Sequence, residues 1–446
     1  MRIAYFSPLN PQPSGISDYS EELLPHLAAG AEIDLFTDGF APTNDAVRER
    51  FKFFDYRAEP DQLKRLSEYD AVVYHMGNDH RYHAGIFDAT RAFPGVVVLH
   101  DFALQHFFLG LARARGDMNV YLDELGACHG RRARAEAAES LRCDAEPACY
   151  AQPLAFPLNC GLVRDAEGVI VHSEWSRTRL AAVAPATPVA VVNHHVLAEP
   201  TERRAARVAD GERRVVEIAS FGHVTSEKGV GRVLAVLAAL KDEHEFRFTL
   251  VGEPDHFDVR ELIRAHGLED RVRVTGYVPL AEFKARLAAC DIAINLRERT
   301  VGETSGSVCR AMAAGLPVVV SNAGWFAELP DDCVIKIDAG DAGDAQLRAY
   351  LAQLVADESL RRRIGENARR HVSAAHAIER SAAGYLAFLR RIVARRPRRR
   401  FVSGVAAELE ACGLREEDET ILSGVAAEVA RLTPALVSDV EAGREG

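Results

Sequence analysis

The chain opens with a continuous apolar run, RIAYFSP, then a Pro/Gly/Ser loop, then SDYSEELLPHLAAG, whose apolar residues fall on one helical face. That order predicts a buried strand, a loop and an amphipathic helix. EIDLFT predicts another strand, and DAVVYHMGN and GVVVLHD two more, each ending in polar residues. Their apolar positions are consecutive rather than alternating, which suits strands of a parallel sheet covered on both faces. From Leu109 to Leu154 the composition is mostly helical, with many Ala, Arg and Glu. GVIVHS predicts the next strand, EWSRTRLAAV the opening of a helix, and PVAVVNHHV closes this half.

Residues 198 to 213 are polar and charged and read as a linker or exposed hairpin. A second alternation follows. VVEIASFGHV, FRFTLVGE, VRVTGYV, DIAINL, a strand within GETSGSVCRAMAAGLPVVV, and CVIKID predict strands. GVGRVLAVLAALKD, DVRELIRAHGL and LAEFKARLAAC predict helices between them, and QLRAYLAQLVADESLRRRIGENARRHV a long helical region. Repeated βα units imply an α/β fold of two Rossmann-like, doubly wound parallel-sheet domains facing a cleft. The expected domains are 1–197 and 213–375, followed by C-terminal helices and an appendage over 376–446. Ligands of such sheets bind beyond the carboxyl ends of the strands, so a shared ligand belongs between the two domains.

Composition narrows the partners. The 446 residues suit about two or three domains of roughly 150 residues. The formal net charge of -11 argues against a general nucleic-acid binder. No apolar run approaches the roughly 20 residues of a membrane span, and the N-terminus lacks a secretory pattern. Eight scattered cysteines without a CxxC pair point to reduced thiols and a cytoplasmic setting. The basic run from Leu389 to Phe401, with its arginines near Arg390–Arg400, reads either as a solvated helix face or as a peripheral contact with anionic lipid at the inner face of a membrane. SGVAAE recurs at Ser403 and Ser423, too few copies for a repeat architecture.

Two βα loops carry candidate chemistry. In FGHVTSEKG, His223 and Lys228 lie at a strand's carboxyl end, and Gly229 lets the backbone turn into the helix. Lysine supplies a mobile positive charge for phosphate oxygens, whereas histidine is cationic only if its environment permits. In GETSGSVCRAMAAG, Thr304, Ser305, Gly306 and Ser307 precede a helix whose first N–H groups favour an anion. Glu303, just before them, suits sugar hydroxyls better than phosphate. The alternative for both loops is ordinary capping and solvation.

These segments, in this order, resemble the family-four retaining glycosyltransferases, which have the GT-B fold. FGHVTSEKG resembles the family's FGR-x-EKG loop, and VTGYVPLAEFKARLAACDIAINL its G-Y-V-P-x-x-E-L…DI segment. RAMAAGLPVVVSNAGWFAELP resembles E-A-M-A-x-G-x-P-V-V-x-S…G-x-x-E, and HSEWSRTRL the S-x-x-S-x-x-x-L helix start. The resemblance covers about Met1 to Arg391 and is stronger in the second half. It implies a nucleoside-diphosphate sugar as co-substrate, with no cofactor and no metal, and a glycan or lipid-linked acceptor. It places Lys228 and His223 on the diphosphate, Gly276 and Tyr277 at the nucleobase, and Ser305 to Ser307 on the phosphates. Gly15, in PQPSGISDYS, would pass close to the donor phosphate, and Asp18 is acceptor-side or a helix cap. His100 would meet the transferred sugar, with Asp101 either orienting it or touching ligand.

The chain departs from the family at two glutamates. RAMAAG puts Arg310 where the ribose glutamate is expected, and Glu303 stands one residue late for the sugar glutamate. Arg310 would then add charge to the phosphate site. In YHMGNDHRYH, Asn78, His80 and His83 are assigned to acceptor recognition or loop structure, since their spacing repeats no metal-ligand pattern. NHHV, Asn193 to Val196, reads as interdomain structure. The expected catalytic set is His100, Lys228 and Glu303. The rival readings are a nucleotide-sugar epimerase or hydrolase of the same fold, and a non-catalytic sugar-nucleotide-binding protein.

Overall fold

The computed structural model describes residues 1–143, 145–197, 215–254, 258–415 and 418–432, with backbone alone at 397–404, 407, 419, 430 and 432. The expected linker over 198–213 lies outside these residues, as do the side chains of much of the basic run, whose backbone is helical.

Among the described residues there are thirteen strands, nearly all of them formed by the apolar runs. They are β1 (Arg2–Phe6), β2 (Glu32–Thr37), β3 (Lys52–Asp55), β4 (Ala71–Met76), β5 (Val96–Leu99), β6 (Gly168–Val171) and β7 (Val189–Val191) in the first half. The second half holds β8 (Val216–Phe221), β9 (Phe246–Val251), β10 (Val272–Val274), β11 (Ile292–Asn295), β12 (Val318–Ser321) and β13 (Val334–Ile337). They form two sheets, ordered β3-β2-β1-β4-β5-β6-β7 and β10-β9-β8-β11-β12-β13. Among the described residues the paired strands are all parallel, with β1 in register Arg2↔Glu32 against β2 and β8 in register Val216↔Phe246 against β9. Parallel strands need crossovers, and the apolar stripes of the intervening helices cover the faces. Val97, Phe36 and Phe107 are buried under the first set, and Phe248, Leu234 and Leu351 under the second. Each such side chain contributes roughly 1.5–3 kcal/mol on burial, so these runs tolerate no exposed face.

Strand order reverses twice, between β1 and β4 and between β8 and β11. Those reversals splay the following loops apart and open a crevice at the carboxyl ends. Residues Met1–Leu386 form one compact unit that holds both sheets, and Ala387 begins a second, helical unit.

Three local features differ from the expected elements. KFFD forms β3 at the sheet edge, a half-exposed strand that its charged surroundings conceal in the sequence. The helical segment from Leu109 divides into Gln105–Arg115 and Asn119–Arg142, broken at Gly130, and ends well before Leu154. The long region after β13 divides into Asp341–Ala356 and Glu358–Ala375, because Asp357 caps the second helix through Leu360 N.

Candidate active site

The loops at the carboxyl ends of the two sheets meet. Ala103 N, beyond β5, donates to Val301 O, beyond β11, at 2.8 Å. Gly302 beside it has φ +76°, and a Cβ there would lie 2.5 Å from Phe102 Cβ and 2.7 Å from the Trp175 ring. Only glycine fits that approach. Nearby, Glu328 of the second domain accepts from the backbone N–H groups of Glu174 and Trp175, the free donors at the start of the Glu174–Val183 helix.

Lys228 follows β8 and Arg297 follows β11, so both stand at the switch point of the second sheet. A backbone bond from Glu298 N to Glu227 O, 2.7 Å, ties the two loops together. Lys228 Nζ has one long bond, 3.5 Å to Phe221 O. Burial, helped by the Arg297 charge and opposed by Glu303, lowers its pKa to about 7.

Arg297 was not among the residues expected from the sequence. Its Nε donates to Glu303 Oε1, and Nη1 donates to Asn295 Oδ1 and Leu296 O, both at 2.8 Å. The guanidinium lies 5.3 Å from the Phe326 ring centroid. The second Glu303 oxygen accepts from Thr300 Oγ1 at 2.8 Å and Val301 N at 3.0 Å. Burial pushes the Glu303 carboxyl up, but the Arg297 charge and these hydrogen bonds prevail and hold it below its ordinary value. Asn295 also donates to Ser307 Oγ at 3.1 Å, and Ser307 meets Ser305 Oγ at 3.0 Å. Ser305 caps the Gly306–Ala313 helix through Val308 N. One polar chain thus runs from Arg297 to the helix start, with Thr304 half-buried in the loop between.

The first domain contributes Asp101. Its Oδ2 accepts from Asn78 N at 2.8 Å, so Asp101 orients the loop after β4 rather than His100. Burial and the Glu303 charge raise its carboxyl to about 7. Asn78 is structural as well, since its Oδ1 accepts from Phe107 N at 3.0 Å and its Nδ2 meets His106 at 3.3 Å. A Cβ at Gly77 before it would crowd Ile16 Cδ1 at 2.7 Å and His83 Nε2 at 2.9 Å.

The remaining expected residues divide into open and enclosed positions. Gly15 begins the Gly15–Leu27 helix, with nothing within 4 Å of the place where a side chain would start. Ser14 caps that helix, and Asp18 instead accepts from Asn10 Nδ2 at 3.3 Å. His223 is exposed, as is Tyr277 at 67%, next to Gly276. His80 is half-buried at the start of the His80–Ala92 helix, near Asp79. His83 is enclosed, its Nδ1 donating to His75 O at 3.0 Å.

His100 turns inward, and both of its ring nitrogens are bonded within the protein. His172 Nδ1 lies 2.7 Å from Val192 O, and a carbonyl only accepts, so this nitrogen carries the proton. Burial keeps His172 neutral at ordinary pH, with a pKa lowered to about 4, and pushes His100 and His75 well down too. His172 Nε2 is therefore an acceptor, taken by His100 Nδ1 at 3.3 Å. His100 Nε2 is an acceptor in turn, taken by His75 Nδ1 at 2.9 Å. Every proton in the row is set by Val192 O. The His100–sugar contact expected from the sequence would have to be made by a ring whose two nitrogens are engaged by His75 and His172. Tyr19 lies against His100 and His172, and its hydroxyl meets Tyr385 at 2.8 Å.

Arg310 does not point its charge at the helix start. Its Nη2 donates to Glu22 Oε1 at 2.9 Å, across the domain boundary. The side chains are only 15% and 11% exposed. Burial raises the Glu22 carboxyl, and Arg310 opposes the shift. His195 Nε2 stands 3.8 Å from the other Glu22 oxygen. NHHV is interdomain structure in this sense, with Asn193 Nδ2 also donating to Ala375 O at 3.0 Å. The expectation of reduced thiols fails at one pair, because Cys128 and Cys160 are joined in a disulfide. Among the described residues, no helix is long and apolar enough to cross a membrane.

Residues 201–371, which span this site's second wall, match the family described as glycosyl transferases group 1. The chain is 27% identical over 216 residues to a 2-deoxystreptamine glucosyltransferase of Streptomyces kanamyceticus, covering 46% of this chain and 55% of that one. It is 31% identical over 234 residues to the lipopolysaccharide core biosynthesis mannosyltransferase LpcC of Rhizobium leguminosarum bv. viciae, covering 50% and 63%. The matches therefore span little more than half of these relatives. Among solved structures, sucrose-phosphate synthase from Thermosynechococcus elongatus superposes with a TM-score of 0.62 at 16% identity, over 88% of this chain and 99% of that one. Anabaena Alr3699/HepE, solved in complex with UDP and glucose, gives 0.59 at 19% identity, over 87% and 99%. The two sheet domains together have the GT-B fold.

Proposed function

We propose that the protein is a retaining glycosyltransferase that moves a sugar from a nucleoside-diphosphate sugar to a glycan or lipid-linked acceptor. The observation that carries this reading is the convergence of Lys228, Arg297, Glu303 and Asp101 where the loops of two switch-point crevices meet. Cations and the start of the Gly306–Ala313 helix suit a diphosphate leaving group, whose charge grows as the glycosidic bond breaks. Lys228 accepts that charge by holding its proton once the phosphate arrives. Asp101 and the Asn78 loop, from the first domain, are read as the acceptor side. Both Glu303 oxygens are occupied and the carboxyl of Asp101 is pushed up, so neither is a ready nucleophile. The reading is therefore a front-face attack by the acceptor, with the departing phosphate taking its proton. The group 1 match and the sugar-transferring relatives support the reaction class.

The test is incubation of the full chain with a panel of nucleoside-diphosphate sugars and candidate acceptors, followed by NMR of the product's anomeric signal. A new glycoside with the donor's anomeric configuration is expected. Inversion would overturn the retaining mechanism, and donor binding without turnover under any acceptor would overturn the enzyme reading.

A further inference from the structure

We propose that Arg297 is the fixed cation of the diphosphate site and that Glu303 positions it, rather than serving as a ligand of the transferred sugar. This inference rests on the donor-site reading above and names how that site is built.

The argument begins with hydrogen-bond capacity. A carboxylate held on both oxygens has little left for sugar hydroxyls. Glu303 Oε1 is taken by Arg297 Nε, and Oε2 by Thr300 Oγ1 and Val301 N. Its side chain is 15% exposed. Arg297 is held on three further sides, by Asn295 Oδ1, Leu296 O and the Phe326 ring. A guanidinium offers five N–H donors in a rigid fork. Nε and Nη1 face these protein partners, while Nη2 has no protein acceptor among the described residues. A half-buried cation with one arm clamped and one arm spare is preorganised for an anion.

Its surroundings agree. Asn295 links Arg297 to Ser307 and Ser305, hence to the backbone N–H groups opening the Gly306–Ala313 helix. The Glu298–Glu227 backbone bond brings the Lys228 loop alongside. Of the two conspicuous candidates for a second cation, one carries no fixed charge and the other is engaged elsewhere. His223 lies exposed on the loop before Lys228, and Arg310 is paired with Glu22. Arg297 thus pairs a permanent, rigid charge with the mobile one of Lys228. Phosphoryl oxygens bound by such a fork are fixed in angle as well as position.

The experiment separates a cation's positioning group from a sugar ligand. The full-length protein is titrated calorimetrically with pyrophosphate, with sugar-free nucleoside diphosphates, and with the matching nucleoside-diphosphate sugars. Circular dichroism and a thermal midpoint check each variant's fold. Glu303→Gln is expected to weaken sugar-free nucleoside diphosphate at least about tenfold, because the fork loses its counter-ion and swings. Arg297→Gln is expected to do the same, and Arg297→Lys, the variant more tolerant of folding, to recover part of the loss. If Glu303→Gln binds sugar-free diphosphate as wild type does and loses affinity only for the sugar-bearing donor, Glu303 is a sugar ligand and the inference is overturned. Unchanged diphosphate affinity in folded Arg297→Lys and Arg297→Gln overturns it too. Wild-type protein that binds none of these probes instead overturns the donor-site reading on which it rests.

Discussion

Replacing Arg310 by alanine strands Glu22. The pair spans 2.9 Å with side chains 15% and 11% exposed, a gross attraction of about 6 kcal/mol at an effective dielectric of about 20. Much of that is returned as desolvation, and breaking such a pair costs on the order of 3–5 kcal/mol. Proton uptake sets a ceiling on the cost of the orphaned carboxylate. Neutralising a glutamate of ordinary pKa takes about 3.7 kcal/mol at pH 7 and about 1 kcal/mol at pH 5. Arg310→Ala is therefore expected to destabilise the protein by about 3 kcal/mol at pH 7 and by about 1 kcal/mol at pH 5. Arg310→Glu, which restores the family's carboxylate, sets two acids face to face and is expected to be worse than alanine at pH 7. Glu22→Gln with Arg310→Met is expected to return most of the loss. The assay is urea titration followed by far-UV dichroism and by tryptophan fluorescence, since Trp175 and Trp325 report on the two domains. A loss below about 1 kcal/mol at pH 7, or one equal at both pH values, would refute the reasoning.

Further outcomes are expected from the same geometry. His83, His172 and His376 have pKa values lowered to about 4 by burial, so their stabilisation is complete above the unfolded value and lost as pH falls toward 4. Each costs roughly 2 kcal/mol between pH 7 and pH 5, as does His195, lowered to about 3; Asp101, raised to about 7, works in the opposite sense by a similar amount, joined by the raised Glu22, Asp38, Glu124 and Glu328 carboxyls, but the lowered histidines outnumber these carboxyls. Thermal midpoints across that range should fall, and a flat or rising profile would contradict the neutral cluster. Gly302→Ala is expected to cost about 2–4 kcal/mol, because φ +76° and the Phe102 contact both oppose a Cβ; a midpoint unchanged from wild type would show the loops do not meet as described. Binding of a nucleoside diphosphate at pH 8 should take up protons, since an anion raises both Lys228 and Asp101 from about 7. Calorimetry in buffers of different ionisation enthalpy reads this directly, and proton-neutral binding would refute it. Lys228→Ala should lower turnover at least about tenfold, equivalent to about 1.4 kcal/mol.

The alternation of apolar runs was enough to place both sheets, because parallel strands buried on two faces leave long, unmistakable signals. β3 escaped because an edge strand of KFFD shows one face to solvent. Lys228 was legible from its place just past a strand. Arg297 obeys the same rule after DIAIN and could have been found by applying it to β11. Contacts made by folding over long separations were not legible. Glu22 and Arg310 are 288 residues apart, and nothing near either names the other. His100 was visible as a strand-end histidine, but the direction of its ring depends on His75 and His172, which arrive from other strands. The pairing of Cys128 with Cys160 likewise depends on how a kinked helix returns to the sheet.

The row of three histidines has a polarity of its own. Neutral rings bonded head to tail can carry their protons in only two arrangements, each the mirror of the other. Val192 O selects between them, because the reversed arrangement would turn a lone pair toward that carbonyl at 2.7 Å. Val192 immediately precedes Asn193, which is fastened to the end of the second domain at Ala375 and to the following helix at Ser381. A backbone rotation there that withdrew the carbonyl would free the protons of all three rings at once. The far end of the row, His75 Nε2, would then change from acceptor to donor while its atoms stayed in place. The posture of the interdomain segment is thus recorded as the position of a hydrogen atom deep inside the first sheet.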